Sequence, residues 1–183
     1  MISKRFTRFT LASVLAFGLM SAPMITPAAT AACSQEKLTN KSVGQISIGA
    51  SNTKIVPFTY PAGGVMLPPW NTEVLFMSLR HMPLSSSIGT TVLVWHINNG
   101  RGCWSNLNFL LGDQKVGFKF KITDETGVTK TYKITQVTIV PKGKYQKDWF
   151  SIVGPRKLAI FTCNDKFVNG HYVENKVLLA VPA

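Results

Sequence analysis

The sequence predicts an all-β protein, a closed or nearly closed β-barrel of seven or eight strands with only short helices. Short apolar or alternating segments, separated by turn residues, recur along the chain. The clearest are residues 116–122 and 131–140, which alternate with period two around a hairpin turn at 124–127. Five further segments have strand character, at 45–48, 54–60, 90–95, 157–163 and 172–181.

Helical signals are few and short. Asn71 is a suitable N-cap for a helix over 72–79, since a helix there has an acidic residue in its first turn and ends before a proline. Apolar residues at helical spacing predict one or two turns over 104–111. The stretch 141–155 is expected to be a linking loop with a helical turn around 148–150.

The first 32 residues have the composition of an export signal or membrane anchor. Lys4, Arg5 and Arg8 precede an uncharged stretch whose apolar centre is followed by prolines and small residues. The leader is cleaved, retained as a membrane anchor, or lipidated at Cys33, and the sequence leaves these alternatives open. Each of them places the body of the protein outside the cytoplasm, secreted or on the cell surface.

The rest of the chain is long enough for one domain with a full core. We expect a flexible tail over 33–43 and a barrel domain over 44–183. Twenty Lys and Arg against eight Asp and Glu give a net charge of +12, which suits an anionic envelope. No nucleic-acid motif is present, so nucleic acid is not an expected partner. The three histidines have no carboxylate at ligand spacing, so no metal or other cofactor is expected.

Three cysteines in an exported chain argue against a disulfide scaffold and predict at least one free thiol. Cys163 ends the apolar strand 157–163, where a rigid backbone holds the thiol toward a cleft. His96 follows the strand 90–95 in the same way, and this pairing suggests nucleophilic cysteine chemistry. Cys103 is expected to be a partly buried spectator thiol, or alternatively a redox partner of Cys163.

The residues over 44–183 resemble the sortase family. The segments Thr-Val-Leu-Val-Trp-His, Trp-Ser-Asn-Leu-Asn-Phe-Leu, a two-strand hairpin and Phe-Thr-Cys-Asn occur in the order that sortases show. The most specific match is 158–163, which is similar to the family's Thr-x-Thr-Cys signature, with Ile160 where the earlier threonine commonly stands. The separation of 67 positions from His96 to Cys163 is also close to the family's spacing.

The resemblance implies a cysteine transpeptidase with an eight-stranded barrel on the outer face of the membrane. Cys163 would attack a backbone carbonyl in the sorting signal of an exported protein, commonly of Leu-Pro-x-Thr-Gly type, and form a thioacyl intermediate. An amine from a peptidoglycan precursor or a pilin lysine would resolve it, with His96 as general acid and base. Sortases carry a catalytic arginine on the final strand. Here Asn175 occupies that place, and we expect its amide to serve as a neutral oxyanion donor.

Other residues are expected to support the reaction. Thr162 is a candidate donor near the oxyanion, through its hydroxyl or its backbone, and Asn98 is a candidate for orienting the imidazole of His96. Trp95 either narrows the groove or fills the core. His171 either contacts substrate or is a solvated turn residue. In contrast, Arg101 and Arg156 are expected to be surface charges rather than substitutes for the arginine.

Two other hypotheses stay open. A degenerate sortase barrel would bind sorting signals without chemistry, which Asn175 in the arginine position motivates. A cysteine transpeptidase that cross-links peptidoglycan also combines histidine with β structure. Its usual Ser-x-Gly-Cys-Arg signature is absent, because residues 161–164 are Phe-Thr-Cys-Asn.

Overall fold

Eight strands close into a barrel in the computed structural model, which describes residues 35–62, 65–98 and 103–183. In chain order the strands are β1 (Gly44–Ile48), β2 (Ser51–Phe58), β3 (Leu75–Ser78), β4 (Thr90–Val94), β5 (Lys119–Thr123), β6 (Thr129–Pro141), β7 (Lys157–Cys163), β8 (Phe167–Val168), β9 (His171–Tyr172) and β10 (Glu174–Pro182). Around the barrel the order is β1, β2, β3, β4, β7, β10, β6, β5, while β8 and β9 form a separate hairpin. The predicted all-β barrel is confirmed.

Short helical segments accompany the strands, as the sequence predicts. A π-helical segment spans Asn108–Gly112, and a 3-10 turn spans Lys147–Phe150. Within the described residues no helix has the length and apolar character needed to cross a bilayer. The predictions for the leader, Cys33 and Arg101 concern residues outside the described ranges.

The barrel pairs most strands antiparallel but contains two parallel contacts, β2 with β3 and β4 with β7. β7 lies between β4 and β10, and its five central side chains are all buried. Leu158 and Ile160 pack in one core cluster, while Ala159 and Phe161 pack in a second cluster on the opposite face of the strand. This burial on both faces explains why β7 has a continuous apolar sequence rather than an alternating one.

The helix predicted over 72–79 is wrong, because Leu75–Ser78 is strand β3. The cap-like hydrogen bond does form, since Asn71 Oδ1 accepts from the backbone N–H of Glu73 at 2.9 Å. The chain then enters a strand whose four side chains are all buried between β2 and β4. A strand buried on both faces has no period of two, so its sequence alone does not distinguish it from a buried helix.

Candidate active site

Parallel pairing of β4 with β7 brings His96 and Cys163 to the same edge of the barrel. Val94 pairs with Phe161 in this register, and His96 and Cys163 each follow two residues later. The backbone N–H of Trp95 donates to Phe161 O at 3.0 Å and continues the pairing beyond β4. Side chains two residues apart on a strand share a face, so the imidazole and the thiol lie on the same face of neighbouring strands.

Asn175 lies beside Cys163 on the other neighbouring strand. The two residues are direct partners in the antiparallel pairing of β10 with β7, which places both side chains on one face. The half-buried amide of Asn175 donates from Nδ2 to the hydroxyl of Tyr145 at 2.5 Å. The register therefore sets histidine, cysteine and asparagine side by side across three strands.

A cavity of about 690 Å³ opens at this edge. All seven residues predicted for the site line it: Trp95, His96, Asn98, Thr162, Cys163, His171 and Asn175. Most other lining side chains are apolar or aromatic. A volume of this size accommodates a peptide segment of a few residues. Among the described residues no group of three or more histidine, cysteine or acidic side chains has the arrangement of a metal site.

Cys163 is a free, half-buried thiol. Burial raises its pKa above the ordinary value, because a thiolate is poorly solvated there. The charge of Lys142 and a side-chain hydrogen bond from it act in the opposite direction, but burial is the larger effect. The resting site at neutral pH therefore holds mainly the thiol form of Cys163.

His96 is buried beneath a covering segment, which we define as residues 65–70. Only 7% of the residue is exposed, and its Nε2 lies 3.1 Å from Pro68 O. The indole of Trp70 stacks on the imidazole with ring centroids 4.6 Å apart and an interplanar angle of 18°. The covering segment therefore occupies one face and one nitrogen of the imidazole.

The pKa of His96 is lowered from its ordinary value. Burial is the largest cause, and the charge of Lys142 acts in the same direction. Backbone hydrogen bonds at Pro68 and Pro69 and the charge of Glu36 oppose it without reversing the shift. At neutral pH His96 is thus a neutral imidazole that can accept a proton.

Residues before β1 hold the covering segment in place. Glu36 Oε2 accepts from the backbone N–H of Trp70 at 2.7 Å, and the backbone N–H of Glu36 donates to Trp70 O at 3.0 Å. Gln35 adds a contact through Oε1, which accepts from the backbone N–H of Thr72 at 2.9 Å. Glu36 of the predicted flexible tail is thereby hydrogen-bonded to the covering segment, and Gln35 is hydrogen-bonded to Thr72, two residues beyond it.

Thr162 and Trp95 have side chains that serve the barrel. The hydroxyl of Thr162 donates to Trp95 O at 3.1 Å, so the predicted oxyanion contact of Thr162 now concerns its backbone and not its hydroxyl. The indole of Trp95 is 1% exposed, packs in the core and donates from Nε1 to Asn108 Oδ1 at 2.7 Å. Of the two alternatives for Trp95, the core-filling one describes its packing.

Asn98 and His171 lie on the wall of the cavity formed with β9. Asn98 donates from Nδ2 to the hydroxyl of Tyr172 at 2.6 Å, which connects the polypeptide after β4 to β9. His171 precedes Tyr172 and is exposed. The orienting role of Asn98 and the substrate contact of His171 remain predictions.

Two expectations outside the central group are wrong. Cys103 is disulfide-bonded rather than a spectator thiol, and Cys163 is not its partner because Cys163 is free. Arg156 is not a surface charge but a residue only 8% exposed, at the start of β7. It lies seven residues from Cys163, or about 23 Å along an extended strand, and so cannot act in the cavity.

Lys142 and Trp70 are site residues that the sequence analysis did not identify. Lys142 lies two residues after Val140, and Val140 pairs with Asn175. This pairing identifies Lys142 as a site residue, but only after the strand register is known. Trp70 belongs to the Pro-Pro-Trp run that covers His96. The sequence pattern predicts only that Lys142 lies in a linking loop, and it predicts no role for the Pro-Pro-Trp run.

Comparisons with known proteins find similarity in structure only. No family model matches this sequence, and no curated protein matches it. Sortase C1 from Streptococcus agalactiae matches with a TM-score of 0.58 and 15% identity, over 78% of this chain and 67% of that one. Sortase A from Corynebacterium diphtheriae matches with a TM-score of 0.58 and 14% identity, over 80% of this chain and 63% of that one. Sortase C-1 from Actinomyces oris matches with a TM-score of 0.58 and 18% identity, over 78% of this chain and 75% of that one.

The likeness concerns the barrel, since identities of 14–18% describe a shared fold and not a shared activity. The chain spans 67% and 63% of the first two sortase structures. The closed eight-stranded barrel of this chain agrees with these structural matches. This chain therefore has a sortase-like fold.

Proposed function

We propose that this protein is a sortase-type cysteine transpeptidase that acts on exported proteins bearing a C-terminal sorting signal. One observation carries the proposal. A free thiol at Cys163 and a neutral imidazole at His96 lie at the ends of adjacent parallel strands and line one peptide-sized cavity. This arrangement supports nucleophilic catalysis with a nearby general base.

The proposed reaction has two acyl-transfer steps. Cys163 loses its proton to His96, and the sulfur attacks the carbonyl carbon of the scissile peptide bond. The C–N bond then breaks, the leaving amine takes the proton from His96, and a thioester to Cys163 remains. An acceptor amine attacks this thioester and gives a proton to His96. The C–S bond breaks, the thiolate of Cys163 takes that proton from His96, and a new amide leaves the site.

Partners and location follow from the same proposal. The acyl donor is an exported protein with a sorting signal, and the acceptor is an amine of a peptidoglycan precursor or a pilin lysine. The export leader predicted over residues 1–32 supports a location outside the cytoplasm, at the cell surface or in association with the membrane. The apolar lining of the cavity favours amine over water by limiting solvent at the thioester.

Mass spectrometry after incubation with peptides of Leu-Pro-x-Thr-Gly type tests the proposal. We expect the wild-type chain to gain the mass of the acyl fragment on Cys163 and to pass it to an added amine. Cys163→Ala forms no adduct, and His81→Gln is a matched histidine control, because His81 lies outside the cavity lining. No adduct with any peptide of a panel of sorting motifs would contradict the proposal.

A second candidate function is a non-catalytic barrel that binds sorting signals. The observation that favours it is the engagement of two expected catalytic groups by the protein itself. The amide of Asn175 donates to Tyr145, and Nε2 of His96 lies against Pro68 O. Peptide binding measured by calorimetry without an adduct on Cys163 supports this alternative, and adduct formation excludes it.

A further inference from the structure

The strand register places Lys142 on the face that carries the thiol. Val140 pairs with Asn175 on β10, and Asn175 pairs with Cys163 on β7. Lys142 follows Val140 by two residues, and its backbone N–H donates to Val173 O at 3.0 Å, so the pairing with β10 continues past the end of β6. Its side chain therefore shares a face with Asn175 and Cys163.

Lys142 provides positive charge to the cavity. Among the described residues it is the one lysine or arginine in the lining, and no aspartate or glutamate of the described residues lines the cavity. The ion pairs of the described residues join Lys157 to Asp148 and Lys166 to Glu174, and neither involves Lys142. No described carboxylate in the cavity neutralises the ammonium of Lys142.

Asn175 is poorly suited to stabilise a thiolate at Cys163. Its Nδ2 donates to the hydroxyl of Tyr145 at 2.5 Å, and a neutral amide has no charge to set against a thiolate. A lysine carries three donors and a full positive charge on a flexible stem. Lys142 reaches Cys163 across β10, from the strand beyond Asn175.

We propose that Lys142 is the catalytic cation of this site, in place of the arginine of sortases. The inference rests on the proposed transpeptidase function. The ammonium of Lys142 first stabilises the thiolate of Cys163. It then donates to the oxyanion of the tetrahedral intermediate that forms when the sulfur attacks the carbonyl carbon.

Lys142 acts on the pKa values of both Cys163 and His96. Its charge lowers the pKa of Cys163 and the pKa of His96, although burial has the larger effect on each. The proton of Cys163 passes to His96, the thiolate is balanced by Lys142, and His96 later gives that proton to the leaving amine. Among the described residues, the other titratable groups near this pair are Glu36, whose charge raises the pKa of His96, and the cavity-lining residues Tyr145, His171 and Tyr172.

Alkylation of Cys163 by iodoacetamide tests, without any peptide substrate, whether Lys142 stabilises the thiolate. We expect the rate to rise with pH as thiolate forms, and the profile of Lys142→Met to lie at higher pH than that of wild type. Lys142→Arg keeps the charge and stays near wild type. Lys144→Met is the matched control, since Lys144 is also exposed and is not in the cavity lining. Equal profiles for Lys142→Met and wild type overturn the proposal.

A second readout follows the histidine. In Lys142→Met the pKa of His96, read from imidazole NMR shifts, is expected to rise, because the nearby positive charge is gone. A change confined to packing would not move Cys163 and His96 in this matched way. Thermal unfolding midpoints of the Lys142 variants are expected to match wild type, since the residue is exposed.

Acylation by a sorting-signal peptide tests whether Lys142 stabilises the oxyanion. Loss of an oxyanion donor lowers a rate by about 10²- to 10³-fold, and we expect this for Lys142→Met. Adding Asn175→Arg in that background is expected to recover part of the rate. Acylation of Lys142→Met at the wild-type rate overturns the oxyanion role. A wild-type chain that is never acylated overturns the transpeptidase proposal instead, and the alkylation profiles still decide the thiolate role of Lys142.

Discussion

The two ends of β7 hold positive charge in different ways. At the start of the strand, buried Arg156 donates from its guanidinium to Thr91 Oγ1 at 2.7 Å, Leu84 O at 3.0 Å and Tyr132 Oη at 3.3 Å. At the other end, exposed Lys142 faces a thiol across an open cavity. The buried charge is held within the fold by three hydrogen bonds, whereas the exposed charge beside a thiol is available to a reaction.

Removing the base should give the largest effect at the cavity end. We expect His96→Gln to lower the rate of thioacyl formation by about 10²- to 10⁴-fold, because a general acid and base is lost. Mass spectrometry of Cys163 over time measures it. His81→Gln is the control, since His81 contacts Ser78 and Phe150 outside the cavity. Unchanged acylation in His96→Gln would remove His96 from the reaction.

Arg156→Met, at the other end of β7, should lower the stability of the protein and leave the reactivity of Cys163 unchanged. We expect the free energy of unfolding to fall by about 3 kcal/mol, since hydrogen bonds to a buried charged group are lost and their partners are left unsatisfied. Urea unfolding measures this. Lys157→Met, in an exposed pair with Asp148, is the control and should change little. If Arg156→Met moved the alkylation profile of Cys163 as Lys142→Met does, the two ends would not be separate.

Trp70→Ala tests whether the covering segment buries His96. Removing the indole exposes His96, so its pKa is expected to rise toward the ordinary value, because burial is the main cause of the shift. An NMR titration of the imidazole provides the measurement. Trp104→Ala is a matched control, as Trp104 also lines the cavity and is 58% exposed. An equal pKa in wild type and Trp70→Ala would show that other groups bury His96.

The pH dependence of stability should show the smallest effect. The lowered pKa of His96 means that the unfolded chain binds a proton more readily than the folded chain. Stability from this residue is present above its ordinary value of 6.5 and is lost as pH falls through the lower folded value. Urea unfolding at pH 7.5 and 5.5 should therefore show a larger drop for wild type than for His96→Gln. Equal drops would contradict the sign of the shift.

Most of the barrel was predictable, because its strands carry local signals. Both strands of the hairpin that joins β5 to β6 alternate with period two, and β7 was predicted with its observed ends, 157–163. Strand β3 was not predictable in the same way, since burial on both faces removes the alternation. The strand expected over 172–181 is divided, because Tyr172 ends β9 and Glu174 begins β10.

The candidate site was predictable in part for a similar reason. His96 and Cys163 each follow an apolar strand, and that local pattern is present in the sequence. Lys142 has no such pattern, since its place in the cavity depends on which strand pairs with β10. The burial of Arg156 also depends on contacts distant in sequence, such as its hydrogen bond to Thr91.

Local sequence patterns predict the β class of this protein and the two strand ends that carry the thiol and the imidazole, because strand propensity and alternation are local properties. The parallel pairing of β4 with β7, the position of Asn175 opposite Cys163 and the place of Lys142 in the same cavity follow from the tertiary structure. Strand pairing joins residues far apart in the chain, and the register that selects which side chains share a face is set by packing of the whole barrel.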